Sequence, residues 1–205
     1  MRKSLLALVV AVALVCGVQA FAIDGVVLID QTRALMGNVT PGDMAGFPIS
    51  INQPGSYRLS ANLTVPPGVG GIEIAADDVT IDLNGFRIST SGGFATCIRD
   101  TGTHNRLEVT HGTLSGFGSG IFMLSTNHVI VRDVRTTNVS SISIVTGSQA
   151  IIQRNLAQGL IQASCPSVIT ENITEGFLTV VLGSGGEQCV RYNNRSLNFT
   201  GAVTQ

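Results

Sequence analysis

A short alternating unit recurs six times after residue 70, and it constrains the fold more than any other feature of the sequence. Each unit reads apolar, any, core, any, and then Asn, Asp or a stand-in for them. The last positions of successive units lie 28, 22, 22, 17 and 22 residues apart. Alternation with a period of two is typical of β-strands, so each repeat is predicted to contain one. The units are Val79-Ile81-Leu83, Leu107-Val109-His111, Val129-Val131-Asp133, Ile151-Gln153-Asn155, Val168-Thr170-Asn172 and Val190-Tyr192-Asn194.

A second apolar segment precedes each later unit, and turn-forming Gly, Asn, Asp and Ser residues separate the two. Two or three short strands per ~22 residues, repeated without helices, are typical of a solenoid whose coils bury their apolar faces against each other. We therefore predict an all-β fold, a parallel β-helix solenoid of about six coils with a short N-terminal cap. A β-sandwich with coincidental Asn spacing is the alternative.

Stacked coils would place the last positions of the units in one inward column. Amide side chains in such a column hydrogen-bond along the stack and satisfy the polar backbone groups of the turn. The predicted members of this structural ladder are His111, Asp133, Asn155, Asn172 and Asn194.

Three stretches resemble the opening of many secreted bacterial β-helix repeat proteins: residues 54–59 (PGSYRL), 62–64 (NLT) and 78–85 (DVTIDLNG). Over residues 47–200 the chain is similar to the right-handed parallel β-helix proteins of the pectate-lyase-like superfamily. The resemblance implies a right-handed β-helix. It implies no single activity, because that superfamily holds lyases, hydrolases, esterases, epimerases, phage tailspikes and proteins that are not enzymes.

The first twenty residues are typical of a signal peptide. Arg2 and Lys3 precede an apolar run over 5–15, and small residues stand before a cleavage site after Ala20. We expect a secreted or periplasmic protein. A lipidated Cys16 is the alternative, but the residues before it lack the small residue of a lipobox.

Residues 21–70 are interpreted as the N-terminal cap and first strands, and 71–205 as the coils. The segment 30–37 is predicted to form a short helical turn ending at Gly37, with Leu28, Ala34 and Leu35 covering the first coil. No such cap is encoded after the last unit. Because an uncovered edge invites pairing, a homo-oligomer through the C-terminal coil end is one expected assembly.

Composition narrows the classes of partner. Only 12% of the residues are charged, which argues against a disordered chain and against a coiled coil. The formal net charge is −1, which argues against nucleic acid or an anionic membrane as a partner. After the signal peptide no run of about 18 apolar residues occurs, so no membrane span is expected.

Two outward columns follow from the repeat. Arg132 and Arg154 are predicted to lie one coil apart beside Glu171, where their guanidinium groups could bind the carboxylates of an acidic polysaccharide. A solvated ladder of ion pairs is the alternative, and we favour it. The neighbouring column predicts an exposed apolar stripe that is either a partner surface or covered by the chain itself. The stripe consists of Ile130, Ile152 and Ile169.

Histidines and cysteines add little to the functional prediction. His104, His111 and His128 fall at different positions of their coils, so we expect no metal site and no cofactor. Cys165 and Cys189 lie on adjacent coils with an offset of two residues, which stretches a disulfide toward its limit of reach. A buried free thiol is an equal alternative, and Cys97 is interpreted as a core or turn residue.

Catalytic residues are not identifiable from the sequence. The chain has no lysine after Lys3, the turns are short, and the residues that accompany Asp77-Asp78 in polygalacturonases are missing. We therefore favour a secreted, non-catalytic β-helix module that offers a structural or glycan-contacting surface. Two alternatives remain: a small polysaccharide lyase or glycoside hydrolase acting on acidic polysaccharide, and a self-assembling surface or adhesion protein.

Overall fold

The computed structural model describes residues 25–181 and 188–197. This part of the chain contains twenty short β-strands and one helix. Their bounds are β1 (Val26–Ile29), α1 (Gln31–Met36), β2 (Ile49–Ile51), β3 (Gly55–Leu59), β4 (Leu63–Val65), β5 (Ile72–Ile74), β6 (Val79–Asp82), β7 (Arg87–Thr90), β8 (Thr96–Asp100), β9 (Asn105–Ser115), β10 (Ser119–Met123), β11 (Asn127–Thr137), β12 (Ile142–Thr146), β13 (Ile151–Gln153), β14 (Leu156–Ala157), β15 (Leu160–Ser164), β16 (Val168–Thr170), β17 (Ile173–Thr174), β18 (Leu178–Val181), β19 (Val190–Tyr192) and β20 (Arg195–Ser196).

The strands stack in three parallel rows. Row A follows the order β1-β3-β6-β9-β11-β13-β16-β19. Row B comprises β4, β7, the C-terminal halves of β9 and β11, and then β14, β17 and β20. Row C follows β2-β5-β8-β10-β12-β15-β18. The chain visits C, A and B in turn, which is the predicted parallel β-helix solenoid. The six repeat units are β6, β9, β11, β13, β16 and β19, and two further strands of row A precede them.

The core is a column of aliphatic side chains inside the coils. In row A, the strand register stacks Ile81, Val109, Val131, Ile152 and Ile169 on one another, and all five are fully buried. Full burial of one such side chain is worth about 1.5–3 kcal/mol. The prediction that Ile152 and Ile169 face solvent is therefore wrong.

Ile152 and Ile169 face the core because successive coils have a residue with positive φ at the end of row A. At Asp133 the φ angle is 56°, and Val131 and Val134 on either side of the Arg132-Asp133 pair both face the core. The spacing between inward residues thus changes from two to three at this corner, which strict alternation does not anticipate. The residues at this corner are His111, Asp133, Arg154, Glu171 and Asn193.

The N-terminal segment contains the predicted helical turn. Helix α1 begins after Asp30, whose carboxylate accepts a hydrogen bond from the Arg33 N–H at 2.8 Å, and it ends at Gly37. Gly37 has a φ of 75°, and a Cβ there would lie 2.7 Å from the backbone of Met44. Ala34 is buried as predicted. Leu28 and Leu35 are about half exposed, so the prediction that they cover the first coil is wrong.

A disulfide joins Cys165 to Cys189 with a Cα–Cα distance of 5.0 Å. The inferred two-residue offset does not keep them apart, because both cysteines lie outside the paired strands, where the register does not fix their positions. Cys97 is a free, buried thiol, and burial raises its pKa well above the usual value.

Some expectations concern other parts of the chain. The predicted signal peptide over 1–20 and the predicted assembly surface at the C-terminal end, from 198 onward, lie outside the described residues. In the two described stretches, no helix is long and apolar enough to cross a bilayer.

Candidate ligand-contact surface on row A

Two outward columns run along row A. Successive members belong to neighbouring coils, about 4.8 Å apart, and the two columns are separated by two residues along each strand. Column 1 consists of Val26, Ser56, Thr80, Glu108, Ile130, Ile151, Val168 and Val190. Column 2 consists of Leu28, Arg58, Asp82, Thr110, Arg132, Gln153, Thr170 and Tyr192.

The later members of column 1 form an apolar stripe. Ile130 is partly exposed, and Ile151, Val168 and Val190 are exposed to 41%, 39% and 58%. The sequence predicts a stripe of Ile130, Ile152 and Ile169. In the structure Ile151 and Val168 are the exposed members, because their neighbours Ile152 and Ile169 are buried. We call Ile130, Ile151, Val168 and Val190 the apolar stripe.

A groove of about 340 Å³ adjoins the start of the apolar stripe. Its lining combines aliphatic groups with charged and polar side chains from the corner that precedes row A. The lining residues are Thr80, Arg106, Leu107, Glu108, His128, Ile130, Gln149 and Ile151. The groove is therefore amphipathic and open toward column 1.

A second groove of about 230 Å³ lies over the earlier coils and is more polar. It is lined in part by Arg58, Asp82, Glu108, His111 and Arg132. Arg58 contacts Asp82 at 3.2 Å, and the Arg132 Nη2 donates to Glu108 Oε1 at 2.7 Å. Both arginines are thus held by carboxylates of neighbouring coils.

Arg154 lies at the corner that ends row A and not in column 2. Its Nε and Nη2 donate to the two carboxylate oxygens of Asp133 at 2.9 and 2.8 Å. These hydrogen bonds outweigh the effect of burial, lower the pKa of Asp133 and raise that of Arg154. Glu171 on the next coil also raises the pKa of Arg154 and accepts from Gln153 at 3.2 Å. Arg154 and Glu171 are close to each other, as predicted. The prediction that Arg154 shares a column with Arg132 is wrong, because Gln153 takes that position.

His111 lies between two carboxylates at the same corner. Its Nδ1 is 3.3 Å from Asp82 Oδ1, and its Nε2 is 3.7 Å from Asp133 Oδ2. The side chain of His111 is 48% exposed. His111 and Asp133 were predicted in the inward ladder, and this is wrong, because Gly112 and Val134 occupy the inward positions of their coils.

The three asparagines of the predicted ladder do stack. Asn155 and Asn172 are buried, and the Asn155 backbone N–H donates to the Asn172 side-chain oxygen at 2.9 Å. The Asn172 N–H donates in the same way to Asn194 at 3.0 Å. The ladder ends at Val134, whose N–H donates to the Asn155 oxygen at 3.0 Å. The ladder is therefore structural, and its members Asn155 and Asn172 are closed to solvent, while Asn194 at its end is partly exposed.

A buried carboxylate at the end of β8 was not predicted. The side chain of Asp100 is 2% exposed and accepts hydrogen bonds from Thr126 Oγ1 at 2.6 Å, from the Gly102 N–H and from the His104 ring. Burial alone would raise the pKa of Asp100, but these hydrogen bonds outweigh it and lower the pKa. The pair Asp100 and His104, four residues apart, is too common a pattern to indicate this cluster from the sequence alone.

Within the described stretches, no group of three or more His, Cys, Asp or Glu side chains has an arrangement that could hold a metal ion. No protein-family model matches the chain, and comparisons with curated proteins and with solved structures give no significant match.

Proposed function

We propose that the chain is an exported, non-catalytic β-helix module, related to the right-handed pectate-lyase-like proteins, whose row A surface contacts a polysaccharide. The observation that carries the proposal is the pair of adjoining grooves along columns 1 and 2. Side chains repeated once per coil suit a polymer that also repeats its contacts along one axis. The short turns leave this face open along several coils.

The proposed contact residues are the candidates from the sequence, Arg132, Arg154 and Glu171. Arg132 lies in column 2 and lines the second groove, while Arg154 and Glu171 lie at the corner that ends row A. Hydrogen bonds from a guanidinium to sugar oxygens are worth about 1.5–3 kcal/mol each when one partner is charged. The acidic polysaccharide expected from the sequence is one candidate ligand.

The test is binding of the exported protein to a panel of neutral and acidic polysaccharides, followed by calorimetric titration of each ligand found. Arg132→Ala should weaken binding at least about fivefold, which is about 1 kcal/mol. The matched control is Arg99→Ala, which removes an equivalent ion pair with Glu73 in row C, and it should leave the affinity unchanged. No binding to any polysaccharide would refute the proposal, and equal losses in both variants would remove Arg132 from the contact surface.

Export is tested separately. The mature protein recovered from outside the cytoplasm should begin at Phe21, as read by N-terminal sequencing. A retained Met1, or a lipid on Cys16, would contradict the predicted cleavage.

A second candidate function rests on one specific observation, the position of His111 between Asp82 and Asp133 at the edge of the second groove. An imidazole and two carboxylates are groups that can exchange protons with a glycosidic or uronic substrate. Release of new reducing ends or unsaturated products from a polysaccharide, abolished by His111→Ala, would establish a lyase or glycoside hydrolase instead of a non-catalytic module.

A further inference from the structure

The charges of row A argue against an acidic ligand. Between residues 55 and 193, this row and its two corners carry five arginines and six carboxylates, which gives a net charge of −1 when histidine is counted as neutral. A polyanion gains no net attraction from such a surface. The arginines are Arg58, Arg106, Arg132, Arg154 and Arg191, and the carboxylates are Asp77, Asp78, Asp82, Glu108, Asp133 and Glu171.

The arginines of the earlier coils, Arg58, Arg106, Arg132 and Arg154, each already bind a carboxylate. Arg106 Nη2 donates to Asp78 at 2.8 Å, and the other three are paired with Asp82, Glu108 and Asp133 as described. A ligand carboxylate would have to displace an internal one from its guanidinium. The exchange of one exposed ion pair for another yields little free energy.

The later coils offer a different chemistry. The apolar stripe lies beside column 2, which in these coils carries the amide of Gln153 and the hydroxyls of Thr170 and Tyr192, with Tyr192 exposed to 70%. None of these column 2 groups is formally charged. A pyranose ring has apolar C–H faces and a rim of hydroxyl groups, so it matches an aliphatic stripe flanked by neutral donors and acceptors.

We infer that the ligand of row A is an uncharged polysaccharide, which lies along the coil axis with its sugar faces on the apolar stripe and its hydroxyls toward Gln153, Thr170 and Tyr192. This inference rests on the proposed function and specifies its ligand. The groove lined by Leu107, Ile130 and Ile151 overlaps the first two residues of the stripe and continues it toward the earlier coils.

The experiment compares uncharged polymers (xylan, mannan and mixed-linkage β-glucan) with acidic ones (polygalacturonate and alginate) on the full exported chain. We expect an uncharged polymer to bind, with an affinity that changes less than about twofold between 50 and 500 mM NaCl, because no ion pair forms. The double variant Ile151→Ser/Val168→Ser should weaken that binding about tenfold, since it removes apolar area that the sugar buries.

The matched control is Leu156→Ser/Ile173→Ser. These two side chains form a similar pair on adjacent coils of row B, with exposures of 37% and 39%, and their loss should leave affinity unchanged. Far-ultraviolet circular dichroism and melting temperature establish that both double variants fold.

The outcomes separate the inference from the proposed function. Binding only to acidic polymers, weakened by salt and by Arg132→Ala but not by the stripe variant, overturns the inference and leaves the glycan-contact proposal standing. Binding to no polymer overturns both. A concentration-dependent dimer in sedimentation velocity that the stripe variant abolishes, without glycan binding, assigns the apolar stripe to a second copy and also overturns both.

Discussion

The side-chain oxygen of Asn172 accepts two hydrogen bonds from Asn155 on the preceding coil, one from its backbone N–H and one from its amide, each at 2.9 Å. The amide of Asn172 in turn donates to the Ile152 carbonyl at 2.8 Å. One buried side chain thus satisfies three polar groups of the preceding coil. Because unsatisfied buried polar groups are costly, this pair couples the two coils more strongly than the same number of exposed hydrogen bonds would.

Asn172→Ala should lower the free energy of unfolding by about 2–4 kcal/mol, because it leaves the Asn155 N–H and the Ile152 carbonyl buried without a partner. Urea unfolding measured by circular dichroism gives the value. The control is Asn52→Ala, an exposed amide that donates to the Pro41 carbonyl, for which we expect less than about 1 kcal/mol. Equal effects of the two substitutions would contradict the role of the ladder.

Reduction of the disulfide should destabilise the chain by about 3 kcal/mol, as expected for closure of a loop with a sequence separation of 24. The measurement is the unfolding midpoint with and without dithiothreitol. The double variant Cys165→Ser/Cys189→Ser should show the lower midpoint in both conditions. A midpoint that dithiothreitol still lowers in this variant would point to a different source of the effect.

Asp100→Asn should remove an acid-dependent part of the stability. The folded chain lowers the pKa of Asp100, so the ionised form stabilises the fold. That contribution is complete above the unfolded pKa of about 4 and is lost as the pH falls through the lower folded value. The variant should therefore be less stable than the parent at pH 7, by about 1–3 kcal/mol, and the two should converge at acidic pH. Glu175→Gln, an exposed substitution, is the control. A constant difference from pH 7 to pH 2 would refute this account.

Arg154→Ala should have a small effect on stability. Its pair with Asp133 is exposed, and such pairs contribute about 0–1 kcal/mol. A double-mutant cycle with Asp133→Ala should give a coupling energy below about 1 kcal/mol that decreases in 0.5 M NaCl. In Arg154→Ala the pKa of Asp133 should rise, because the hydrogen bonds that lower it are gone. A coupling energy above about 2 kcal/mol would show that the pair holds the corner.

The fold could be predicted because the repeat is a direct consequence of stacking. Asn155 and Asn172 recur at one position of the coil because each hydrogen-bonds to an asparagine on the next coil. This requirement appears in the sequence as a repeat. Short apolar segments bounded by turn residues located the strands of rows A and C for the same reason.

The assignment of faces could not be predicted because one backbone angle decides it. A residue in the left-handed region, such as Asp133 or Arg154, shifts the inward pattern by one position, and no residue type is reserved for it. The units of β13, β16 and β19 were therefore aligned one residue out of step with β11, which turned Ile152 outward. The one-residue misalignment and the shift at the corner cancel at Asn155, so the three asparagines of the ladder were placed correctly while His111, Asp133 and the stripe were not.

The surface charges could be located but not paired from the sequence. The partner of Arg132 is Glu108, 24 residues earlier and in the neighbouring column. Pairing depends on side-chain reach across two columns, which strand spacing alone does not determine. The Asp100 cluster was missed for a similar reason, since Thr126 reaches it from the following coil.

Among the coils that the structure describes, the one that runs from Ile151 to Ser167 is the shortest, and Ile151 and Ile152 pair with Val168 and Ile169 of the next coil. A tandem copy of these 17 residues would bring its own isoleucine for the outer face and its own asparagine for the interior. The length of the apolar stripe can thus be changed one coil at a time, by evolution or by design, while the other coils keep their sequence.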